Sequence, residues 1–214
     1  MTDTTTRALP AVQAIEAIEA RRTTNLFDAT RGIADAQIQE LVRLATTAPT
    51  SFNLQNWRFI AVRTPEAKAR LRELAWDQAK VSDAAVTFIV MGQLADHRVL
   101  ADRLAPFVAA GHMPAALAAG WEEAAKGLYS AQPQRQRDEA VRSATFGAGT
   151  LVHAAQALGL GAAPMIGFDA DAVALAFGLA PDELPVLLLA VGHAAPGNWP
   201  RKPRRPLAQV LSLA

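Results

Sequence analysis

The chain has 214 residues, 51% of them apolar, 19% charged and 6% aromatic, which excludes intrinsic disorder and leaves a core built mainly from Ala, Leu and Val. A net charge of +1, from 21 basic and 20 acidic residues, is too even for a general nucleic-acid or membrane-surface binder, so any anion site must be local. With no cysteine, disulfides, iron–sulfur clusters, thiolate nucleophiles and Cys zinc sites are excluded.

The length favours one domain. Residues 1–10 contain one Arg and lead into no apolar stretch of about 7–15 residues, so they read as a flexible arm and not as a signal peptide. Residues 11–214 are then the domain, with the cytoplasm as the default compartment. Val12, Ile15 and Ile18 form a helical stripe over residues 11–21, broken by Thr23 and Thr24. Asp35 reads as the N-cap of a helix that turns Ile38, Leu41, Val42 and Ala45 inward and stops before Pro49. Residues 57–63 alternate as a strand. Thr64 and Pro65 then make an N-cap and a first helical position, opening a helix through Leu74. The near-continuous run AAVTFIVM at 84–91 predicts a buried central strand.

From residue 96 to about 126 the pattern is helical, interrupted at Pro106 and Pro114 with Gly111 between, which predicts two helices in an excursion over 96–136 whose end, 129–136, is loop. A long helix over 137–158 carries the stripe Val141, Ala144, Thr145, Ala148, Val152 and Ala155. Gly147 and Gly149 within it predict close backbone approach. Residues 146–168 are apolar enough to test as a membrane span, but four glycines from Gly147 to Gly161, Pro164 and the missing basic flank indicate a buried helix and a turn. Residues 164–169 read as that turn, Asp169 as the cap of a short helix to Phe177, and 186–191 as a third strand. Helices separate the strands, so the class is α/β or α+β with one central sheet.

No GxSxG, HExxH, EF-hand or Walker pattern is present, and the four histidines lack metal-ligand spacing, so no metal is expected. Gly159-Leu-Gly161-Ala-Ala-Pro164 follows a helix, whereas a dinucleotide fingerprint follows a strand. Redox chemistry would therefore need an organic cofactor. Three polar clusters remain. Arg21-Arg22-Thr23-Thr24-Asn25 offers forked donors for a phosphate, or else complements a helix C-terminal dipole. Residues 49–57, Pro-Thr-Ser-Phe-Asn-Leu-Gln-Asn-Trp, set amides and hydroxyls beside aromatics, suiting a flat heteroaromatic ligand or an ordinary capping loop. Arg201-Lys202-Pro203-Arg204-Arg205 concentrates positive charge at the tail: without those four cations 17 basic residues face 20 acidic ones. It is a solvated tail, or a stiffened anion-binding segment.

The order of these motifs carries a resemblance. Arg-Arg-Thr near the start, Ala48-Pro49-Thr50-Ser51-Phe52-Asn53-x-Gln55-x-Trp57-Arg58-Phe59 before a strand, Gly159-Leu-Gly-Ala-Ala-Pro164-Met-Ile-Gly167-Phe168-Asp169 and a closing basic segment together resemble the FMN-dependent nitroreductase family over residues 14–210. The resemblance implies an α+β fold with a central, mostly antiparallel sheet flanked by helices, in an intertwined homodimer whose two FMN pockets lie at the interface. It implies that Arg21, Arg22 and Thr23 hold the phosphate and ribityl chain with Arg201 and one of Arg204 or Arg205. Thr50, Ser51 and Asn53 would come from the other subunit, and Gln78 would bond the pyrimidine edge of the ring. Pro164, Met165, Ile166 and Gly167 would lie against a ring face, with the N–H of Ile166 or Gly167 directed at N5. Ser143 is a further helix contact.

The chain departs from the family at Asn25, where many members have a cation that stabilises charge on the reduced ring. It departs also at Asn56, where Pro is common, and at Ile166, where Glu is common. The implied activity is hydride transfer from NADH or NADPH through flavin N5 to a nitroaromatic, quinone, enone or small aldehyde in a ping-pong cycle. Its partners are a second copy of the chain and the small-molecule acceptor, with no nucleic acid and no membrane. Phe107, Met113, Leu117 and Trp121 of the excursion either wall the acceptor pocket or simply pack helices. A flavin-binding protein without turnover is the rival reading, and a helical scaffold without flavin, colourless when purified, is the third.

Overall fold

A computed structural model describes residues 11–213 of the chain; the arm expected at 1–10 lies outside the described residues. Four strands, β1 (Trp57–Val62), β2 (Val86–Gln93), β3 (Gly161–Met165) and β4 (Glu183–Gly192), form one sheet in the order β1-β2-β4-β3, with every neighbouring pair antiparallel. β2 is central, and its continuous apolar run has a direct cause. Phe88 and Val90 face α2 (Asp35–Ala45) and α7 (Pro133–Ala157), while Ile89 and Met91 face α3 (Pro65–Leu74), α4 (Ala79–Asp83) and α8 (Ala170–Ala176), so both sets of alternating side chains are buried. A third apolar cluster joins Leu54 to Leu100 and Leu104 of α5 (Leu100–Ala109) and to Ala125 and Tyr129 of α6 (Ala115–Tyr129). No helix among the described residues is long and apolar enough to cross a membrane.

Local signals place most boundaries. Thr64 accepts from Ala67 N–H at 3.2 Å with Pro65 in the first turn, as expected, and Asp169 caps α8 through Ala172 N–H at 3.0 Å. Asp35, read as an N-cap, is instead the first helical residue and pairs with Arg63; Ala34 is the cap, its N–H held at 3.1 Å by Gln37 Oε1. Pro106 lies inside α5 without breaking it, since Asp102 and Pro106 are exposed and the carbonyl left without a donor meets water. The loop expected over 129–136 shrinks to 130–132, turned by Ala131 at φ 54°, because Pro133 opens α7.

On α7, Thr145 faces outward and donates to Val141 O at 2.7 Å. Gly147 is buried with Phe59 and Trp57 close above it, but Gly149 is exposed with nothing near, so only the first of the two serves close packing. Residues 161–165, partly read as a turn, are the edge strand β3, where Pro164 needs no ladder donor on its open side.

Candidate functional site

The segment after α1 (Ala11–Ala20) runs along the open edge of β3: Thr23 pairs with Ala162, and Thr24 N–H donates to Ala162 O at 3.0 Å. It then meets the chain leaving β4, where Phe27 pairs with Ala194. Asn198 locks the two together. Its Oδ1 accepts from the N–H groups of Asn25 (2.7 Å) and Leu26 (3.0 Å), while its Nδ2 donates to Leu26 O (2.8 Å) and Ala195 O (2.9 Å). One amide thus joins positions 173 residues apart and turns the basic tail back onto the end of α1.

The result is a small cleft of about 50 Å³ lined by Arg21, Arg22, Thr23, Asn25, Trp199, Arg201, Lys202 and Arg204. Among the described residues none of its five cations forms an ion pair. Arg201 Nη1 donates to Glu19 O at 3.1 Å and Arg204 Nη1 to Lys202 O at 3.0 Å, leaving most guanidinium donors free. Lys80, on α4, sits near enough to Lys202 to feel its charge; burial first, and then that like charge, holds its ammonium below the ordinary lysine range. Converging cations repel unless an anion lies among them. The donor set therefore fits a phosphate dianion in a space suited to that group and not to a three-ring heterocycle.

Replacing Asn198 by Ala should loosen this cleft. Four hydrogen bonds are lost at once, a cost of about 1–3 kcal/mol when the partners find only water. The apoprotein should melt earlier and affinity for a phosphate anion should fall; Asn198→Asp, which keeps the acceptor for Asn25 and Leu26, should lose less of both. Affinity unchanged in Asn198→Ala would show that the clamp does not shape the cleft.

The turn after β3 forms a second part of the site. Pro164 and Ile166 are exposed, Ile166 at 82%, but the Met165 side chain is buried in the core, so at Met165 only backbone can face a ligand. The N–H groups of Ile166 and Gly167 donate to nothing among the described residues. Gly167 does not adopt a left-handed φ; its requirement is close approach, because a Cβ there would stand 3.1 Å from the Trp76 ring and 3.2 Å from Gln78 Nε2. Gln78 Nε2 donates to Gly167 O (2.7 Å) and Ala75 O (3.1 Å), so the amide expected on a ring edge spends its donors on backbone and leaves Oε1 free. Trp76 and Asp77 both adopt left-handed φ, 54° and 55°, pinned by Asp77 N–H to Arg72 O and by the Arg72–Asp77 ion pair.

The third part does not join the other two. Thr50 Oγ1 accepts from Gln55 N–H (2.9 Å) and Asn53 Oδ1 from Gln55 Nε2 (3.2 Å), while Ser51 Oγ lies 3.0 Å from Tyr129 Oη. Phe52, Asn53 and Gln55 take left-handed φ of 51°, 60° and 45°, a strain of about 1–2 kcal/mol each for residues with a Cβ. Phe52 holds the loop by inserting its ring edge-on to Trp121 and Tyr129, with centroids 6.0 and 6.4 Å apart. The cleft beside this loop is lined by Pro49, Thr50, Ser51, Glu139, Arg142 and Phe146, and shares no residue with the arginine cleft.

Of the excursion residues, Met113 is core, while Phe107, Leu117 and Trp121 are exposed. Ser143 is buried and donates to Glu139 Oε1 at 3.1 Å, a structural contact. Sequence reading missed Asn198, Trp76, Lys80, Tyr129 and Glu139. Only Glu139 carried a usable signal, a carboxylate one turn before Ser143 on a stripe of small residues.

The family model for nitroreductases matches residues 18–193. The protein DrgA of Synechocystis is 35% identical over 208 residues, covering 92% of this chain and 94% of that protein. A Thermus thermophilus NADH dehydrogenase is 30% identical over 180 residues, covering 84% and 85%. Among solved structures, a nitroreductase-type protein of Exiguobacterium sibiricum in complex with FMN superposes with a TM-score of 0.85 at 27% identity, covering 94% of this chain and 96% of that one.

Proposed function

Because this chain belongs to the nitroreductase family, we propose that it is an FMN-dependent oxidoreductase carrying reducing equivalents from NAD(P)H to a small nitroaromatic, quinone, enone or aldehyde in a ping-pong cycle. Residues 11–214 make one FMN-binding domain, with 96–136 as its excursion. The observation that carries this reading is the arginine cleft, whose cations find no carboxylate among the described residues. Bound FMN supplies the two-electron chemistry that no side chain here provides.

Arg21, Arg22, Arg201 and Arg204 neutralise the phosphate, and Thr23 adds a hydroxyl donor. The unpaired N–H groups of Ile166 and Gly167 are donors for the ring, and Gln78 holds their turn in place through Gly167 O. Asn25 offers a hydrogen bond but no charge, so stabilisation of negative charge on the ring falls to the cations nearby. The purified protein should absorb as a flavoprotein and oxidise NAD(P)H in a quinone-dependent way. Colourless protein that takes up no added FMN would overturn the assignment.

The site is completed by a second copy of the chain. Thr50, Ser51 and Asn53 do not reach the arginine cleft within one chain. Large apolar side chains are left in water: Ile15 and Ile18 on α1, Phe146 on α7, and Leu207, Val210 and Leu211 on a tail whose residues 199–213 are all exposed. Such a stretch is stabilised only by burial against another surface. Sedimentation should show a dimer at micromolar concentration, and a flavin-loaded monomer would refute the shared site.

A further inference from the structure

A buried hydrogen-bonded chain stands behind residues 50–53. Glu139, only 4% exposed, has Oε1 accepting from Ser143 Oγ at 3.1 Å, and Oε2 paired with Arg142 and lying 3.2 Å from Tyr129 Oη. Tyr129 Oη in turn lies 3.0 Å from Ser51 Oγ. The direction of the protons along this chain follows from its far end. A carboxylate paired with a guanidinium only accepts, so the single phenolic proton goes to Glu139. Burial pushes the Tyr129 phenol up, which keeps that proton in place. The remaining contact must then be Ser51 donating to Tyr129 Oη, which leaves the lone pairs of Ser51 Oγ for the cleft it lines.

We propose that Tyr129 and Glu139 are positioning residues that fix the Ser51 hydroxyl as a hydrogen-bond acceptor toward bound FMN. This rests on the reading above, in which residues 50–53 face the cofactor held by the other subunit. Between FMN and the electron acceptors, ligand chemistry decides which one Ser51 serves. Nitroaromatics, quinones, enones and aldehydes present acceptors only, whereas FMN carries an imide N–H and ribityl hydroxyls. An acceptor at Ser51 therefore recognises the cofactor and not the electron acceptor. Tyr129 also braces Phe52, so its ring and its hydroxyl have separable tasks.

The experiment is FMN release on dilution of the holoenzyme, read by flavin fluorescence, with melting temperature measured alongside. Tyr129→Phe keeps the ring and removes only the hydroxyl, and Ser51→Ala removes its partner. Each should weaken FMN binding by about 2–12-fold, the worth of one hydrogen bond, and the double variant should be no weaker than either single one. Glu139→Gln, whose amide can donate to Tyr129 Oη, reverses the chain and should weaken FMN by a similar factor. If Ser51→Ala releases FMN faster while Tyr129→Phe and Glu139→Gln behave as wild type, or if the two single effects add, the positioning role fails and the cofactor-facing loop stands. If neither Ser51→Ala nor Asn53→Ala alters FMN release, the loop does not face the cofactor and both readings fall.

Discussion

The double variant Arg21→Ala/Arg201→Ala is expected to bind FMN about 10²- to 10⁴-fold more weakly than wild type, since a charge-assisted hydrogen bond contributes about 1.5–3 kcal/mol and each tenfold in affinity is about 1.4 kcal/mol. The two arginines approach one cleft from opposite ends of the chain. Neither has a carboxylate partner among the described residues, so neither leaves a buried charge behind when truncated. The apoprotein should therefore melt close to wild type. Riboflavin, which lacks the phosphate, provides the control: wild type should prefer FMN strongly, and the double variant should lose most of that preference. FMN affinity should also fall with added salt, and less steeply in the variant. Equal FMN affinity in variant and wild type would remove the phosphate from this cleft.

Gly92→Ala should be the most damaging single methyl group in the chain. Gly92 lies in β2 opposite Trp57, and a Cβ there would stand 2.2 Å from Ala140 O and 2.5 Å from Ala140 C. These are backbone atoms of α7, so no side chain can rotate away. Overpacking that only displaces side chains costs about 1–3 kcal/mol, and a forced backbone shift costs more, a large share of the roughly 5–15 kcal/mol that holds a domain together. Loss of soluble protein, or a melting temperature lowered by many degrees, is the expected outcome. The shift would also move Glu139, the residue before Ala140, so any FMN retained should dissociate faster. Gly120→Ala on α6, with nothing within 4 Å of its Cβ position, should instead raise stability by about 0.5–1 kcal/mol through helix propensity alone. Similar melting of both variants would mean that α7 can withdraw from the sheet at little cost.

What this sequence determined by itself is what local chemistry controls. Thr64 and Pro65 set the start of α3, Asp169 set the start of α8, and the apolar run of β2 announced a strand covered on both faces. Those outcomes depend on side chains acting on their own turn or on simple alternation. The motif order also carried the family, and with it the arginine, loop and turn clusters as candidate parts of one site.

Tertiary structure decided the rest, because the deciding partners are distant along the chain. β3 is a strand only because β4 pairs with it; Gly161 and Pro164 read locally as a turn. Met165 points inward because the sheet's alternation puts it there, and Gln78 spends its amide on Gly167 O, 89 residues away. Asn198, an ordinary turn residue by sequence, draws both ends of the chain into one cationic cleft. The proton direction at Ser51 depends on Glu139, a group it never touches, reached through Tyr129. Periodicity and capping are properties of neighbouring residues, whereas a converging charge cluster or a hydroxyl's orientation is set by whichever groups folding brings alongside.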